Sequence, residues 1–225
     1  MKKPKIFIAC DTAKKNEVRK IIAQTKTNKL KIGYKFGLEF LNSKNGRSFV
    51  SKLKNKIIFI DLKLNDIPNT IKSTIEALKD LNANYLTVHI NSGLEALKSA
   101  KKVSGKTKIA GVTTLTSLNN KNLRELGYNK TVNQLVTIQS KLAHRAKLDA
   151  IVCSPHEVGI VKKYFSKEII TPGIRLKNNN DDQKRVTTPK DALINKKSNW
   201  IVIGRSITSG NIKKNITKLI NHLNS

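Results

Sequence analysis

The sequence predicts an α/β fold, a (β/α)8 TIM barrel that occupies residues 1–225 as a single domain. Short apolar runs that are typical of buried strands alternate with longer amphipathic runs, which indicates parallel strands joined by helices. Eight such repeats fit into 225 residues, a length that is short for this barrel but within its usual range. No linker or low-complexity segment divides the chain.

The elements are predicted in the following order. Strands are expected at residues 6–10, 30–33, 57–63, 85–89, 107–113, 150–153, 169–171 and 200–204. A short helix is predicted at 189–195 and a final helix at about 208–223, and the long polar segments 114–130 and 173–185 are expected to be functional loops. The structural alternative is a doubly wound open sheet. However, the first strand ends in Ala9-Cys10-Asp11-Thr12, without the glycine-rich pattern of such folds.

Composition excludes several classes of protein. No apolar run approaches the roughly 20 residues needed to span a bilayer. The N-terminal apolar stretch is too short for a signal peptide, so we expect a cytoplasmic protein with no membrane association. Cys10 and Cys153 each close an apolar run, as expected for buried thiols rather than a disulfide. The four histidines lack metal-ligand spacing, so no metal site is expected.

The formal net charge of +29 admits two interpretations. One is a nucleic-acid-binding protein with a basic face. The other is a general drift of the sequence towards lysine. The lysines are spread along the whole chain, and aromatic residues, which would stack on bases, make up only 5% of it. We therefore favour the second interpretation and expect no specific nucleic-acid partner, although the positive field can attract an anionic substrate.

Charged residues gather where the predicted strands end, which is where barrels of this class carry their active sites. Asp11 follows the first strand, Lys31 lies on the second, and Asp61 and Lys63 close the third, with Asp66 just after it. Asp61 and Lys63 are two residues apart and should share a face. Buried charges require partners of opposite sign. We therefore predict an alternating network of two cations, Lys31 and Lys63, and two anions, Asp61 and Asp66.

The same residues carry a resemblance to a known family. The stretch Asp61-Leu62-Lys63-Leu64-Asn65-Asp66-Ile67-Pro68-Asn69-Thr70 resembles the D-x-K-x-x-D-I-P-x-T signature of the orotidine 5′-phosphate decarboxylases. Lys31-Ile32-Gly33 resembles the family's second-strand motif, Thr171-Pro172-Gly173-Ile174-Arg175 its T-P-G-I-R, and Gly204-Arg205-Ser206-Ile207 its last motif. The matches run in order along nearly the whole chain. Two departures are Asn65, where the family usually has His, and Ile90-Asn91-Ser92-Gly93, where it often has two adjacent glycines.

The resemblance implies the decarboxylation of orotidine 5′-monophosphate to UMP in pyrimidine biosynthesis. It implies that Lys63 stabilises and protonates a C6 carbanion, that Asp61 and Asp66 hold Lys63 charged, and that Lys31 joins this network. The implied substrate-binding residues are Asp11, Lys31, Ile67, Thr70, Thr116, Ser154, Arg175, Gln183, Gly204 and Arg205. It also implies a homodimer with shared active sites, in which Asp66 and Thr70 reach into the neighbouring subunit.

Two alternatives remain at this stage. Mg²⁺-dependent sugar-phosphate decarboxylases and aldolases of the same barrel superfamily resemble the D-x-K-x-x-D core, although the Ile67–Thr70 and Thr171–Arg175 motifs favour the nucleotide enzyme. The second alternative is the basic nucleic-acid-binding protein, which predicts an affinity that falls steeply with salt.

Overall fold

A computed structural model describes residues 3–176 and 187–224. Within these residues, eight parallel strands pair in chain order and the last pairs with the first, which closes a barrel. The strands are β1 (Lys5–Ala9), β2 (Lys31–Gly37), β3 (Ile57–Leu64), β4 (Tyr85–His89), β5 (Lys108–Val112), β6 (Ala150–Val152), β7 (Glu168–Thr171) and β8 (Trp200–Ile203). The predicted (β/α)8 fold class is confirmed.

Helices surround the barrel and connect its strands. The α-helices are α1 (Lys15–Gln24), α2 (Leu38–Leu41), α3 (Gly46–Ser51), α4 (Pro68–Ala77), α5 (Leu94–Val103), α6 (Asn120–Glu125), α7 (Val132–Arg145), α8 (Val158–Tyr164), α9 (Arg205–Thr208) and α10 (Ile212–Asn224). Short 3₁₀ turns cover Lys79–Leu81, Ile90–Ser92 and Pro155–Glu157, and a π-helical turn covers Asp191–Asn195.

Three predicted boundaries differ from the structure. Strand β2 continues to Gly37, four residues beyond its predicted end, because Tyr34 and Lys35 keep pairing with β1 and β3 although they interrupt the apolar run. The final helix, α10, begins at Ile212 instead of about residue 208, because Gly210 has a φ of +69° that breaks helical geometry, and the short helix α9 precedes it. The predicted loop 114–130 contains α6, which begins with a reciprocal cap between Asn119 and Asn122.

Apolar side chains fill both the inside of the barrel and the layer between strands and helices. Along β1, Phe7 belongs to the interior cluster, while Ile6 and Ile8 belong to the outer layer, as strand alternation requires. The Phe7 ring stacks on Trp200 with centroids 4.2 Å apart and contacts Phe59 at 4.8 Å and Tyr85 at 5.4 Å. These aromatic rings occupy the lower barrel interior, so open space remains at its upper end.

We expect Phe7→Ala to lower the free energy of unfolding by about 3–5 kcal/mol, because it removes a fully buried ring from this interior stack. Urea unfolding followed by circular dichroism measures the change. Leu126→Ala is the matched control, since that side chain is 61% exposed and its loss should cost less than about 1 kcal/mol. Equal losses in the two variants would contradict this account of the core.

Candidate active site

A cavity of about 470 Å³ opens at the carboxyl ends of the strands. Its volume lies within the usual range for small-molecule sites, roughly 300–1,000 Å³. Charged and polar side chains and several apolar ones line it together: Ala9, Asp11, Lys35, Phe59, Asp61, Lys63, Thr116, Val152, Pro172, Gly173, Arg175, Val202, Gly204, Arg205 and Thr208. Of the site residues expected from the sequence, Asp11, Asp61, Lys63, Thr116, Arg175, Gly204 and Arg205 meet here.

Four of these side chains form a continuous chain of ion pairs. Lys63 Nζ lies 2.9 Å from Asp61 Oδ2, and the same oxygen lies 3.5 Å from Lys35 Nζ. Lys35 Nζ also donates to Asp11 Oδ1 at 2.9 Å. Two ammonium groups and two carboxylates thus alternate, as predicted, but two members of the network differ. Lys35 stands in place of Lys31, and Asp11 stands in place of Asp66.

Burial and neighbouring charges act in opposite directions in this chain of ion pairs. Burial alone raises the pKa of Asp61, but the Lys35 and Lys63 ammonium groups, with hydrogen bonds from Lys63 and Thr87, bring it below its ordinary value. Burial lowers the pKa of Lys35, but the Asp61 and Asp11 carboxylates raise it above its ordinary value. Each buried charge therefore remains ionised because its partner is ionised.

Lys35 takes the position that the sequence analysis assigned to Lys31. Lys31 pairs with Lys5 at the first residue of β1, whereas Lys35 pairs with Ala9 at its last. Four residues of strand span about 13 Å, so Lys31 lies near the opposite end of the barrel, where it is exposed. The prediction that Lys31 joins the charge network and binds the substrate is therefore wrong. The sequence held a second K-x-G spacing, Lys35-Phe36-Gly37, that could have revealed the correct lysine.

Strand β3 is irregular where it carries Asp61 and Lys63. Its pairing with β4 passes from Ile60↔Leu86 to Leu64↔Val88, so Asp61, Leu62 and Lys63 together face the single residue Thr87. Lys63 adopts a φ of +49°, a left-handed conformation that costs a non-glycine residue about 1–3 kcal/mol. Simple alternation correctly predicted that Asp61 and Lys63 face one cavity, but a β-bulge gives Lys63 its position.

Guanidinium groups also line the cavity. Gly204 and Arg205 follow β8, and Arg175 follows β7, so both arginines reach the same cavity from neighbouring strands. Arg175 is largely buried. Guanidinium groups present a fork of donors that suits a phosphate. Thr116 lines the same cavity from the segment after β5.

Ser154 has a structural role in this conformation. It is fully buried, and its Oγ accepts a hydrogen bond from the backbone N–H of His156 at 3.4 Å. The Glu157 carboxylate accepts from the Ser154 backbone N–H at 3.2 Å, which completes a reciprocal cap of the 3₁₀ turn. The described wall of the cavity does not include Ser154, so the expectation that it faces the pyrimidine is not supported.

The segment after β3 projects away from the cavity of its own chain. Asp66, Ile67 and Thr70 are exposed, and within the described residues none of them lines that cavity. The Asp66 carboxylate accepts a hydrogen bond from the Ile67 backbone N–H at 2.7 Å, and the Ile67 side chain is 65% exposed. A single chain therefore does not bring Asp66 to Lys63. The remaining expected residue, Gln183, lies outside the described residues.

The two departures from the family pattern contact each other. Ser92 Oγ donates to Asn65 Oδ1 at 2.9 Å and lies 3.4 Å from the Leu64 carbonyl oxygen. Asn91 Oδ1 accepts from Gln139 Nε2 at 2.9 Å. The Ser92 bonds join the segments after β3 and β4, and the Asn91 bond joins the latter segment to α7. None of these residues belongs to the ion-pair chain.

Other sequence expectations concern sites outside the cavity. Cys10 and Cys153 are both buried free thiols, as expected, and burial raises the pKa of Cys10 to about 12. Across residues 3–176 and 187–224, no cluster of three or more His, Cys, Asp or Glu side chains is arranged to hold a metal ion. None of the helices in this described part is both long and apolar enough to cross a membrane.

Comparison with known proteins places these features in a family. Residues 4–218 match the family model described as "Orotidine 5'-phosphate decarboxylase / HUMPS family". The chain is 44% identical over 222 residues to a protein named orotidine 5'-phosphate decarboxylase from Wolbachia sp. subsp. Brugia malayi, covering 96% of each. It is 42% identical over 222 residues to the protein of that name from Wolbachia pipientis subsp. Culex pipiens, again covering 96% of each. Its structure superposes on that of orotidine 5'-phosphate decarboxylase from Lactobacillus acidophilus with a TM-score of 0.83, at 29% identity and 100% coverage of both chains.

The two lysines of β2 allow a matched test. Lys35→Ala leaves Asp61 and Asp11 without their shared cation. We expect it to lower kcat/KM for orotidine 5′-monophosphate at least about 100-fold, since the unbalanced carboxylates no longer hold the Lys63 ammonium in a preorganised position. Lys31→Ala, the control on the same strand, should change kcat/KM less than about threefold because its side chain is exposed. Steady-state kinetics decide, and the reverse ranking would contradict the assignment of Lys35.

Proposed function

The chain belongs to the orotidine 5′-phosphate decarboxylase / HUMPS family, and on this premise we propose how it performs the family's reaction. It is a carboxy-lyase that converts orotidine 5′-monophosphate to UMP and CO₂ in pyrimidine biosynthesis. The observation that carries the mechanism is the Lys63 ammonium, held 2.9 Å from Asp61 in the cavity that two arginines also line.

The difficult species in this reaction is a carbanion on a pyrimidine carbon. When the bond from C6 to its carboxylate breaks, the electron pair stays on C6 and CO₂ leaves. The Lys63 ammonium lies beside C6, stabilises this charge as it develops, and then transfers one proton to C6. The resulting amine regains its proton from solvent. Lys63 is 39% exposed and the most accessible member of the ion-pair chain apart from Asp11, which supports both its contact with substrate and its reprotonation.

The rest of the ion-pair chain prepares Lys63 for this role. Asp61 fixes the Lys63 ammonium through a short ion pair. Lys35 forms a second ion pair with the same carboxylate. Because these charges are already oriented, little reorganisation is needed when the carbanion forms. The network function first assigned to Lys31 passes to Lys35, as does its expected contact with the ribose, which Lys35 shares with Asp11.

The nucleotide's phosphate binds at the arginine side of the cavity. Arg205 and Arg175 supply bidentate donors there, and Gly204 leaves room for close approach. Thr116 contacts the pyrimidine, and Gln183 is expected to close over the nucleotide from its loop. Phosphate binding far from the reacting carbon contributes binding energy that can orient the substrate for reaction.

The active sites are shared within a homodimer. Asp66 and Thr70 are exposed to solvent and lie outside the described lining of the chain's own cavity, so a second subunit can contact them. Between them, Ile67 exposes 65% of its apolar side chain, and Leu38, which follows β2, exposes 57%. Burying such side chains at an interface is favourable. In the dimer, Asp66 adds its carboxylate to the partner's lysine network and Thr70 contacts the partner's ribose.

The remaining expectations follow from the same site. An ammonium group occupies the position beside Asp61 that a cation would need, which supports a reaction without metal or other cofactor. The Mg²⁺-dependent sugar-phosphate enzymes remain the second candidate because the family description also names HUMPS. Buried thiols agree with a reducing cytoplasmic location. The chain acts as one barrel domain with no specific nucleic-acid partner.

A turnover assay with EDTA present tests the reaction and its independence from metal together. The purified protein should bleach the absorbance of orotidine 5′-monophosphate and release UMP at the same rate with and without EDTA. Lys63→Ala should reduce kcat at least about 1,000-fold while circular dichroism stays unchanged, because the proton donor is lost. Near-normal turnover by Lys63→Ala would refute the mechanism, and EDTA inactivation reversed by Mg²⁺ would favour the second candidate.

Subunit mixing tests the shared site. Lys63→Ala and Asp66→Ala homodimers should each be nearly inactive. A mixed dimer has one site that lacks both groups and one that holds both. Exchange of equal amounts yields about half mixed dimers at statistical equilibrium, so about a quarter of the wild-type activity should return. Native mass spectrometry checks the exchange, and mixed dimers without activity would contradict sharing.

A further inference from the structure

Thr87 on β4 is a fully buried polar residue that contacts both members of the central ion pair. It lies opposite the bulge of β3, where it is the single residue facing Asp61, Leu62 and Lys63. Its hydroxyl is therefore at the one point where the backbone of Lys63 and the carboxylate of Asp61 come together. Sequence analysis gave this threonine no role.

The hydrogen bonds of Thr87 fix the direction of its hydroxyl group. The backbone N–H of Lys63 donates to Thr87 Oγ1 at 2.7 Å, and Thr87 Oγ1 donates to Asp61 Oδ1 at 3.1 Å. A carboxylate can only accept, so the single hydroxyl proton must point at Asp61 and a lone pair must face Lys63. The other Asp61 oxygen receives the Lys63 ammonium at 2.9 Å. The Thr87 hydroxyl thus links the backbone N–H of Lys63 to the Asp61 carboxylate, which in turn binds the ammonium group of the same lysine.

Resting on the mechanism proposed above, we propose that Thr87 is a positioning residue for the decarboxylation. Its hydroxyl holds Lys63 in the left-handed backbone conformation and holds Asp61 in the orientation that aims the ammonium into the cavity. The left-handed conformation is unfavourable for lysine, so it persists where a specific contact supports it. The Lys63 N–H finds that contact in Thr87.

Removal of the hydroxyl has two separable consequences. The Lys63 N–H loses its partner, which favours relaxation of the bulge and displaces the ammonium from C6. Asp61 also loses a donor that favours its ionised form. The second effect raises the pH at which Asp61 gains a proton, so the acid limb of a pH profile should move to higher pH. A contribution to folding alone would leave that limb unchanged.

Other charged groups near Asp61 also affect the acid limb of the pH profile, and all variants retain them. Burial and the Lys63 ammonium lower the pKa of His89, which ends β4 beside the bulge. The groups around Asp61 are Lys35 on β2, Lys63 on β3, His89 on β4, Asp11 after β1, and the two arginines that line the same cavity, Arg175 and Arg205. Because substitution of Thr87 removes none of them, a shift relative to wild type reports the lost hydroxyl.

The test compares four variants by kcat, KM and the pH dependence of kcat. Thr87→Val keeps the shape of the side chain but lacks the hydroxyl. Thr87→Ala also lacks the hydroxyl and is smaller, so it cannot crowd its neighbours. Thr87→Ser keeps the hydroxyl. Thr25→Val is the matched control, because Thr25 is equally buried and its hydroxyl also makes two hydrogen bonds, to the Ile21 carbonyl and Tyr34, away from the cavity.

We expect Thr87→Val and Thr87→Ala to lower kcat about 10- to 100-fold, the scale of a lost hydrogen bond to a charged group, with a smaller change in KM. Their acid limbs should move to higher pH. Thr87→Ser should recover kcat to within about fivefold of wild type, with a wild-type acid limb. Thr25→Val should lose stability but keep kcat and the pH profile.

A Thr87→Val or Thr87→Ala enzyme whose kcat and pH profile match those of Thr25→Val would overturn the proposal, as would a Thr87→Ser enzyme as impaired as Thr87→Val. If the wild-type enzyme is active and Lys63→Ala is inactive, either result rejects only the proposed role of Thr87 and leaves the proposed function standing. Inactive wild type, or active Lys63→Ala, instead rejects the proposed function on which this role rests.

Discussion

The structure depends on charge neutrality within a largely enclosed space. The proposed mechanism requires a charged ammonium group beside apolar walls, and an isolated buried charge there would be too costly. The alternation of Asp11, Lys35, Asp61 and Lys63 solves this, because each charge has a partner within 3.5 Å. No member of this chain of ion pairs can be removed without leaving a neighbour unbalanced.

The barrel supplies the geometry for this network. Parallel strands direct all their carboxyl ends to one rim, so residues far apart in sequence meet there. Bulky aromatic rings fill the interior below the rim and form the floor under the cavity. The bulge in β3 then sets the backbone conformation of Lys63 beside Asp61. The barrel therefore brings distant residues to one rim, and the bulge sets the local position of Lys63.

Local neutrality contrasts with the net charge of +29 on the whole chain. The carboxylates of the ion-pair chain are balanced by lysines, so the excess positive charge resides elsewhere, on exposed lysines and on the arginines that line the cavity. Such a field attracts an anionic nucleotide over long range, whereas the ion-pair chain acts at contact distance. The two electrostatic features serve capture and chemistry separately.

The sequence by itself determined the fold class, the strand order, and seven of the residues that line the cavity. Alternating apolar runs and motifs at strand ends are local signals, and both survive in the linear chain. It also suggested the Asp61–Lys63 pair, since D-x-K spacing brings two side chains to one face. It misassigned Lys31 because alternation gives Lys31 and Lys35 the same face and does not give their height in the barrel.

Tertiary structure decided what depends on pairing between strands. The register with β1 sets the height of Lys35 at the rim and leaves Lys31 near the opposite end. The register with β4 creates the bulge and brings Thr87 against Lys63 and Asp61. Ser154 turned inward to cap a turn, although its position after β6 had suggested substrate contact. Register is a relation between distant segments, so no residue pattern within one segment could specify it.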